Sequence, residues 1–177
     1  MNTKIFKNDL NTENILKCRA RKLAEETSAE INHVNTITVV EFQIAHEIYA
    51  IELKRIRVIH PLKALTFIPG TPDFIRGVIN LRGEIISVVD LKVFFDLPDQ
   101  DFTNLSQVII LSSDEMEFGI LADEVLGVAE LSKKDIRPSL PTLTGIRADY
   151  LMGVTGNSIV VLDVEKLLTD KKMVINL

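Results

Sequence analysis

From Thr36 onward, apolar and polar residues alternate with a period of two. Val40, Phe42 and Ile44 fall on one face while Glu41 and Gln43 fall on the other, the pattern of a strand with one wet face. Ala45-His46-Glu47 predicts a turn, and Tyr49, Ile51 and Leu53 alternate back, so the first element is a hairpin. Pro61, Pro69 and Pro72 each remove a backbone donor and fix φ, which predicts a largely irregular stretch over 60–72. A strand over Gly77–Leu81, a turn at Arg82-Gly83-Glu84 and a return strand over Ile85–Val89 come next. Leu91–Leu97 reads as a short helix halted by Pro98. Beyond a polar stretch at 98–104, Val108–Leu111 is a continuous apolar run, as expected of a strand buried on both faces. Ser112–Glu115 turns it into Met116–Leu121, and residues 138–150, with two prolines, form a loop. Val154–Val164 predicts a last hairpin with Gly156-Asn157 at its tip, a dipeptide suited to positive φ. Glu165–Asp170 closes with a helical turn.

This pattern is written twice. Tyr49-Ala50-Ile51 followed by Ile56 and Ile59 recurs as Phe118-Gly119-Ile120 followed by Val125 and Val128, a shift of about 69 positions. Gly77-Val78 and Ile86-Ser87-Val88-Val89-Asp90-Leu91 recur as Gly153-Val154 and Ile159-Val160-Val161-Leu162-Asp163-Val164. Each copy reads strand, turn, strand, loop, strand, turn, strand, short helix. Tandem copies imply one β-rich module duplicated and packed against itself, as a barrel pair or sandwich, with the copies split near 98–104. That architecture suits a binding platform, though function has to come from the surface positions.

Residues 1–35 have a different period. Asn11-Thr12-Glu13-Asn14 offers a helix start, and Ile15–Glu26 contains neither Gly nor Pro. Leu16, Ala20 and Leu23 share one face, ringed by Lys17, Arg21 and Lys22. A helix of about a dozen residues is marginal alone in water, so this extension either docks on its own domain, frays, binds a partner or forms an oligomer.

Composition narrows the function classes. With 46% apolar and 25% charged residues the chain is globular, and a net charge of −5 leaves no domain-scale basic face for nucleic acid. No uncharged run approaches the roughly 20 residues that cross a bilayer, and Met1–Lys7 lacks the apolar stretch of a secretory signal. Cys18 stands alone, excluding an intramolecular disulfide and a Cys-rich metal site. The expectation is a cytoplasmic protein with no membrane insertion. His33, His46 and His60 have no acidic or cysteine partner at metal-ligand spacing and read as ordinary solvent-facing imidazoles. There is no Gly-x-Ser-x-Gly elbow and no phosphate-cradling Gly-rich loop with its lysine. Asp90 and Asp163 end matching strands, and their shared place in the repeat assigns them to capping the short helices that follow. The expectation is no enzyme, no metal and no cofactor. Arg82 sits at a hairpin turn flanked by Phe74, Ile75, Val78, Ile79, Ile85 and Ile86, not all of which can be buried. One guanidinium in an exposed apolar patch can anchor a partner's carboxylate or carbonyl, or can simply be a solvated turn residue.

Ile68-Pro69-Gly70-Thr71-Pro72-Asp73-Phe74-Ile75-Arg76-Gly77-Val78-Ile79-Asn80-Leu81-Arg82-Gly83, followed by Val88-Val89-Asp90-Leu91, resembles the signature of the CheW family of chemotaxis coupling proteins. Glu47–Ile51, Phe118–Val125 and Asp163–Leu168 agree, and the resemblance covers roughly residues 36–170 within a domain of 36–172. It implies a mainly β fold of two intertwined five-stranded SH3-like β-barrels, here with an N-terminal helical extension. It implies a non-enzymatic scaffold linking the cytoplasmic tips of chemoreceptors to the regulatory domain of a CheA-type histidine kinase. By motif position, Ile56, Gly77, Arg82, Val108, Gly119 and Val128 would lie at or near a receptor-facing groove, and Leu65 and Ile68 at the kinase contact. Helix-in-groove docking would then combine apolar contacts with a few polar anchors. Gly77 would be the residue that admits a partner's backbone. One position departs from the family pattern: Val58 stands where Glu is common, which removes any ion pair between that position and Arg82. The same scaffold could serve a chemosensory pathway other than swimming, and a small-molecule-binding protein reusing the fold is the alternative from another class.

Overall fold

A computed structural model of the chain describes residues 35–97, 107–138 and 146–173. The expected terminal helix over 1–35, with Cys18 and His33, and the split at 98–104 lie outside the described residues.

Ten strands in two five-stranded sheets make up most of the described chain. In copy 1 they are β1 (Thr36–Ile44), β2 (Glu47–Glu52), β3 (Ile56–Pro61), β4 (Ile75–Leu81) and β5 (Glu84–Val89), followed by helix α1 (Leu91–Phe94). In copy 2 they are β6 (Gln107–Ser112), β7 (Glu117–Ala122), β8 (Glu124–Ser132), β9 (Leu151–Val154) and β10 (Val160–Leu162). Helix α2 (Ile146–Asp149) precedes β9 and α3 (Val164–Thr169) follows β10. Strand order is β8-β1-β2-β10-β9 in sheet A and β3-β6-β7-β5-β4 in sheet B, the same order once copies are matched strand for strand. The duplication read from the sequence is therefore a duplication of topology. The β9–β10 turn and the strand count differ from the periodicity reading. Gly156-Asn157 does lie in the β9–β10 loop, yet the left-handed residue there is Ser158 at φ 63°, where Ser158 N–H donates to Thr155 O (3.0 Å). The alternation predicts four strands per copy, and the structure has five: β3 and β8 are additional.

Those two strands are the ones that change sheets. Copy 1 leaves β1 and β2 in sheet A, then crosses at the 3-10 turn Leu53–Arg55 to place β3, β4 and β5 in sheet B. Copy 2 leaves β6 and β7 in sheet B, then crosses at the single residue Asp123 to place β8, β9 and β10 in sheet A. Each sheet thus holds two strands of one copy and three of the other, so the copies are intertwined. At the Asp123 crossover, its carboxylate accepts from Ala45 N (2.6 Å) and its own N–H donates to Gln43 O (2.9 Å), fastening the crossing to the β1–β2 turn.

Burial on both strand faces builds three cores. Phe42, Ile44, Tyr49, Ile51, Val160 and Leu162 of sheet A meet Val89, Ile109, Leu111, Phe118 and Ile120 of sheet B in a shared core, joined by Leu91 and Phe94 of α1 and Leu167 and Leu168 of α3. The intervening residues face the other way. Val108, Ile110, Leu121, Val88, Ile86, Ile79 and Leu81 fill a core inside sheet B, and Ile37, Val39, Ala50, Ile159 and Val161 fill one inside sheet A. That is why Val108–Leu111 carries no polar residue: alternate side chains serve different cores, and all four are fully buried. Asp90 and Asp163 cap α1 and α3 as expected, accepting from Lys92 N (3.0 Å) and Lys166 N (3.3 Å).

In each sheet the two edge strands do not pair, so the SH3-like barrels that the resemblance implies are not closed. One isolated bridge links the segment beyond one edge strand to the opposite edge strand. Beyond β3, Thr66 exchanges two backbone hydrogen bonds with Val78 of β4 (2.9 and 2.8 Å); beyond β8, Arg137 does the same with Val154 of β9 (3.0 and 2.8 Å). The matched glycines make this possible. A Cβ on Gly77 would lie 2.2 Å from Thr66 O, and one on Gly153 2.2 Å from Arg137 O, with φ of +142° and +158°. Gly77 therefore admits a backbone, but the backbone is the chain's own.

A partly buried hydrogen bond from the Tyr150 hydroxyl to the Asp170 carboxylate fastens the end of copy 2. Burial, then this bond, push the Tyr150 hydroxyl up to about 12. Burial alone would raise Asp170, but the Lys172 N–H, the Tyr150 hydroxyl and the Lys172 charge outweigh it and hold its carboxyl low.

Two predictions follow from these contacts. Gly77→Ala should destabilise the protein by about 3 kcal/mol in denaturant unfolding, because both the clash and the backbone conformation oppose it. Gly156→Ala, with nothing within 4 Å, should stay within about 0.5 kcal/mol of wild type. For Tyr150, a raised folded pKa means its contribution is complete below the unfolded value of about 10 and is lost as pH climbs toward 12. Stability measured against pH should therefore fall over that window in wild type and fall less in Tyr150→Phe.

Candidate interaction site at the bulged strand and the Arg82 turn

The turn between β4 and β5 is two residues long. Arg82 has φ 54° and Gly83 φ 95°, positive at both positions as in a type I′ hairpin turn. Glycine accepts that conformation freely, whereas for arginine it costs about 1 kcal/mol. The turn is held from its own strand by Asn80, whose Oδ1 accepts from Gly83 N (2.9 Å). Arg82 is exposed, and three residues further on Ile85 is 66% exposed. An exposed arginine beside an exposed isoleucine is the surface expected for anchoring a partner.

Strand β3 runs at the edge of sheet B and contains a bulge. Ile56 pairs with Leu111 and Val58 with the adjacent Ile110, so Arg57 is the extra residue. The bulge reverses the phase of the strand: Ile56 packs on the shared core, while Val58 packs on the core inside sheet B. Arg57 is left facing outward. Its Nη1 donates to both carboxylate oxygens of Glu117 on β7 (2.7 Å each) and its Nη2 to Glu84 on β5 (2.6 Å). Hydrogen bonding to Glu117, then to Glu84, raises the guanidinium pKa above its ordinary value. An ion pair at this hairpin therefore exists, made by Arg57 and Glu84 rather than by position 58 and Arg82. Beside it lies a hollow of about 360 Å³ lined by Lys54, Arg55, Ile56, Arg57 and Ser112–Asp114, whose cations already pair with Glu52, Glu165, Glu84 and Glu117.

The residues named from the sequence fall into three groups. Arg82 and Val128 (63% exposed, on edge strand β8 of sheet A) are at the surface, and Ile56 is half-buried. Val108 and Gly119 are beneath the surface. Both are buried inside sheet B, where a Cβ on Gly119 would lie 2.5 Å from Val108 Cγ1, so neither can touch a partner directly. Gly77 is likewise buried under Thr66. Leu65 (36% exposed) and half-buried Ile68 lie on the strap between β3 and β4, on either side of the bridging Thr66. Between them is Phe67, which the sequence reading did not single out and which is 69% exposed. Arg57 was missed as well. An alternating apolar strap could have drawn attention to Phe67, but nothing in the sequence marks a bulge at Arg57.

No group of three or more His, Cys, Asp or Glu suited to a metal occurs among the described residues. No helix among them is long and apolar enough to cross a membrane. The fold and this surface define a duplicated, strand-exchanged β module that presents an arginine-bearing turn beside exposed apolar side chains.

The CheW-like domain family matches residues 38–172. The chemotaxis protein CheW of Klebsiella aerogenes is 34% identical over 135 residues, spanning 75% of this chain and 81% of that one. CheW of Treponema pallidum is 31% identical over 142 residues, spanning 76% and 84%. The crystal structure of the scaffolding protein TtCheW from Thermoanaerobacter tengcongensis superposes with a TM-score of 0.66 at 29% identity, covering 77% of this chain and 90% of that one. The chain belongs to the CheW family, and its role is that of a chemotaxis coupling scaffold.

Burial separates the two kinds of candidate position experimentally. Arg82→Glu and Val128→Asp should each change unfolding free energy by no more than about 0.5 kcal/mol. Gly119→Val, which forces a side chain onto Val108, should cost about 1–3 kcal/mol. Equal losses in all three would contradict the placement of Arg82 and Val128 at the surface.

Proposed function

We propose that this protein bridges the cytoplasmic tips of chemoreceptors and the regulatory domain of a CheA-type histidine kinase, as a cytoplasmic, non-enzymatic scaffold recruited to receptor arrays. The observation that carries the receptor contact is Arg82. A left-handed arginine with its side chain in solvent costs conformational energy, and it stands at the tip of a hairpin fixed from two sides. Receptor tips are helical hairpins, and the reading has one dock with apolar contacts from Ile56 and Val128 and a polar anchor at Arg82. Val108, Gly119 and Gly77 support that surface from beneath. The kinase contact is assigned to the strap, through Leu65, Ile68 and the exposed Phe67. Signal passes by differential binding to the active and inactive arrangements of the kinase. Each single contact is moderate, and array strength comes from simultaneous engagement.

Co-sedimentation with receptor-containing membranes, with and without the kinase, tests both contacts. Wild type should pellet with receptor. Arg82→Glu should lose receptor-dependent recovery on the order of tenfold while still binding isolated kinase. Phe67→Ser should show the reverse. Recovery of Arg82→Glu equal to wild type would overturn the receptor assignment.

A further inference from the structure

We propose that Arg57 is a positioning residue for the Arg82 turn: its bulge and its two carboxylate partners fix the direction in which Arg82 is presented. This inference rests on the reading of Arg82 as the receptor anchor.

Three independent features converge on Arg57. The register of β3 against β6 makes it the extra residue of a bulge, so its backbone is released from the ladder and its side chain is re-aimed outward. Its partners lie on two other strands of sheet B. Glu117 begins β7 and Glu84 begins β5, immediately after Arg82-Gly83. One planar guanidinium with donors in a rigid fork can hold both carboxylates at once, which a lysine cannot do with the same geometry. Edge strand β3, strand β7 and the base of the Arg82 turn are thereby tied together at one end of the sheet. The turn itself needs such support, because Arg82 occupies a backbone region that arginine avoids. Asn80 steadies one flank through Gly83, and Arg57 steadies the other through Glu84. In the matching place in copy 2, Leu126 is 45% exposed, so the clamp belongs to copy 1, where the Arg82 turn is.

The test uses the full chain. Receptor-membrane binding is measured for Arg57→Ala, Arg57→Lys, Arg82→Ala and the Arg57→Ala/Arg82→Ala double variant, with amide hydrogen exchange followed over residues 82–86. Arg57→Ala should weaken binding on the order of 3- to 10-fold and speed exchange at the turn. Arg57→Lys should fall between it and wild type, and the double variant should bind no worse than Arg82→Ala alone. Glu84→Gln removes the same tie from the hairpin side and should reproduce Arg57→Ala, which keeps the test intact if Arg57→Ala folds poorly. Additive losses in the double variant, or unchanged exchange in both Arg57→Ala and Glu84→Gln, would overturn the positioning role. If Arg82→Ala binds receptor as wild type does, the receptor reading falls. Faster exchange in Arg57→Ala would then still support the clamp, and unchanged exchange would sink it too.

Discussion

Burial of both faces of the same strands is the constraint on which the rest of this molecule depends. Ile109 and Leu111 face the shared core while Val108 and Ile110 face the core inside sheet B, and β2 divides Tyr49 and Ile51 from Ala50 in the same way. A fully buried aliphatic or aromatic side chain contributes about 1.5–3 kcal/mol. The shared core alone assembles most of the largest fully buried side chains, including Phe42, Tyr49, Ile51, Phe118 and Leu162. Because that core draws on both sheets, neither copy can complete it alone, and the exchange of β3–β5 and β8–β10 makes each sheet depend on both copies as well.

Polar contacts act on this frame as adjustments. Exposed ion pairs are weakened by solvent screening, so the Arg57 pairs with Glu84 and Glu117 cannot hold the fold together. They can bias the direction of a turn, which is a smaller demand. The crossover at Asp123 is similar: its bonds to the β1–β2 turn set where the chain passes from one sheet to the other, while the cores decide that it passes at all. This division lets surface residues such as Arg82 and Val128 vary for recognition without disturbing the scaffold.

Copy matching also explains which glycines are needed. Gly77 and Gly153 sit at the single bridge that spans each open sheet, and any side chain there would strike the backbone of Thr66 or Arg137. A partner is not required to account for Gly77. Its influence on recognition runs through the strap it secures, which carries Leu65, Phe67 and Ile68.

Period-two alternation, the repeat and the matched Asp90 and Asp163 caps were legible in the chain, because each depends on residues near one another in sequence. The strongly alternating or continuous apolar strands were legible for the same reason, as was the family through its long central motif. Strands β3 and β8 were not. β3 breaks its alternation at a bulge, β8 is mostly exposed and carries Gly127 at φ +143°, and both find their partners in the opposite copy. Motif position placed Val108 and Gly119 at or near a groove, and only packing showed them buried together inside sheet B, with no room for a Cβ on Gly119 beside Val108. The sequence by itself determined the module, its duplication and its class, since local pattern and covalent order encode those. Tertiary structure alone decided the strand exchange, the glycine-permitted bridges and the Arg57 clamp, because each joins residues that are brought together only when two distant segments pair.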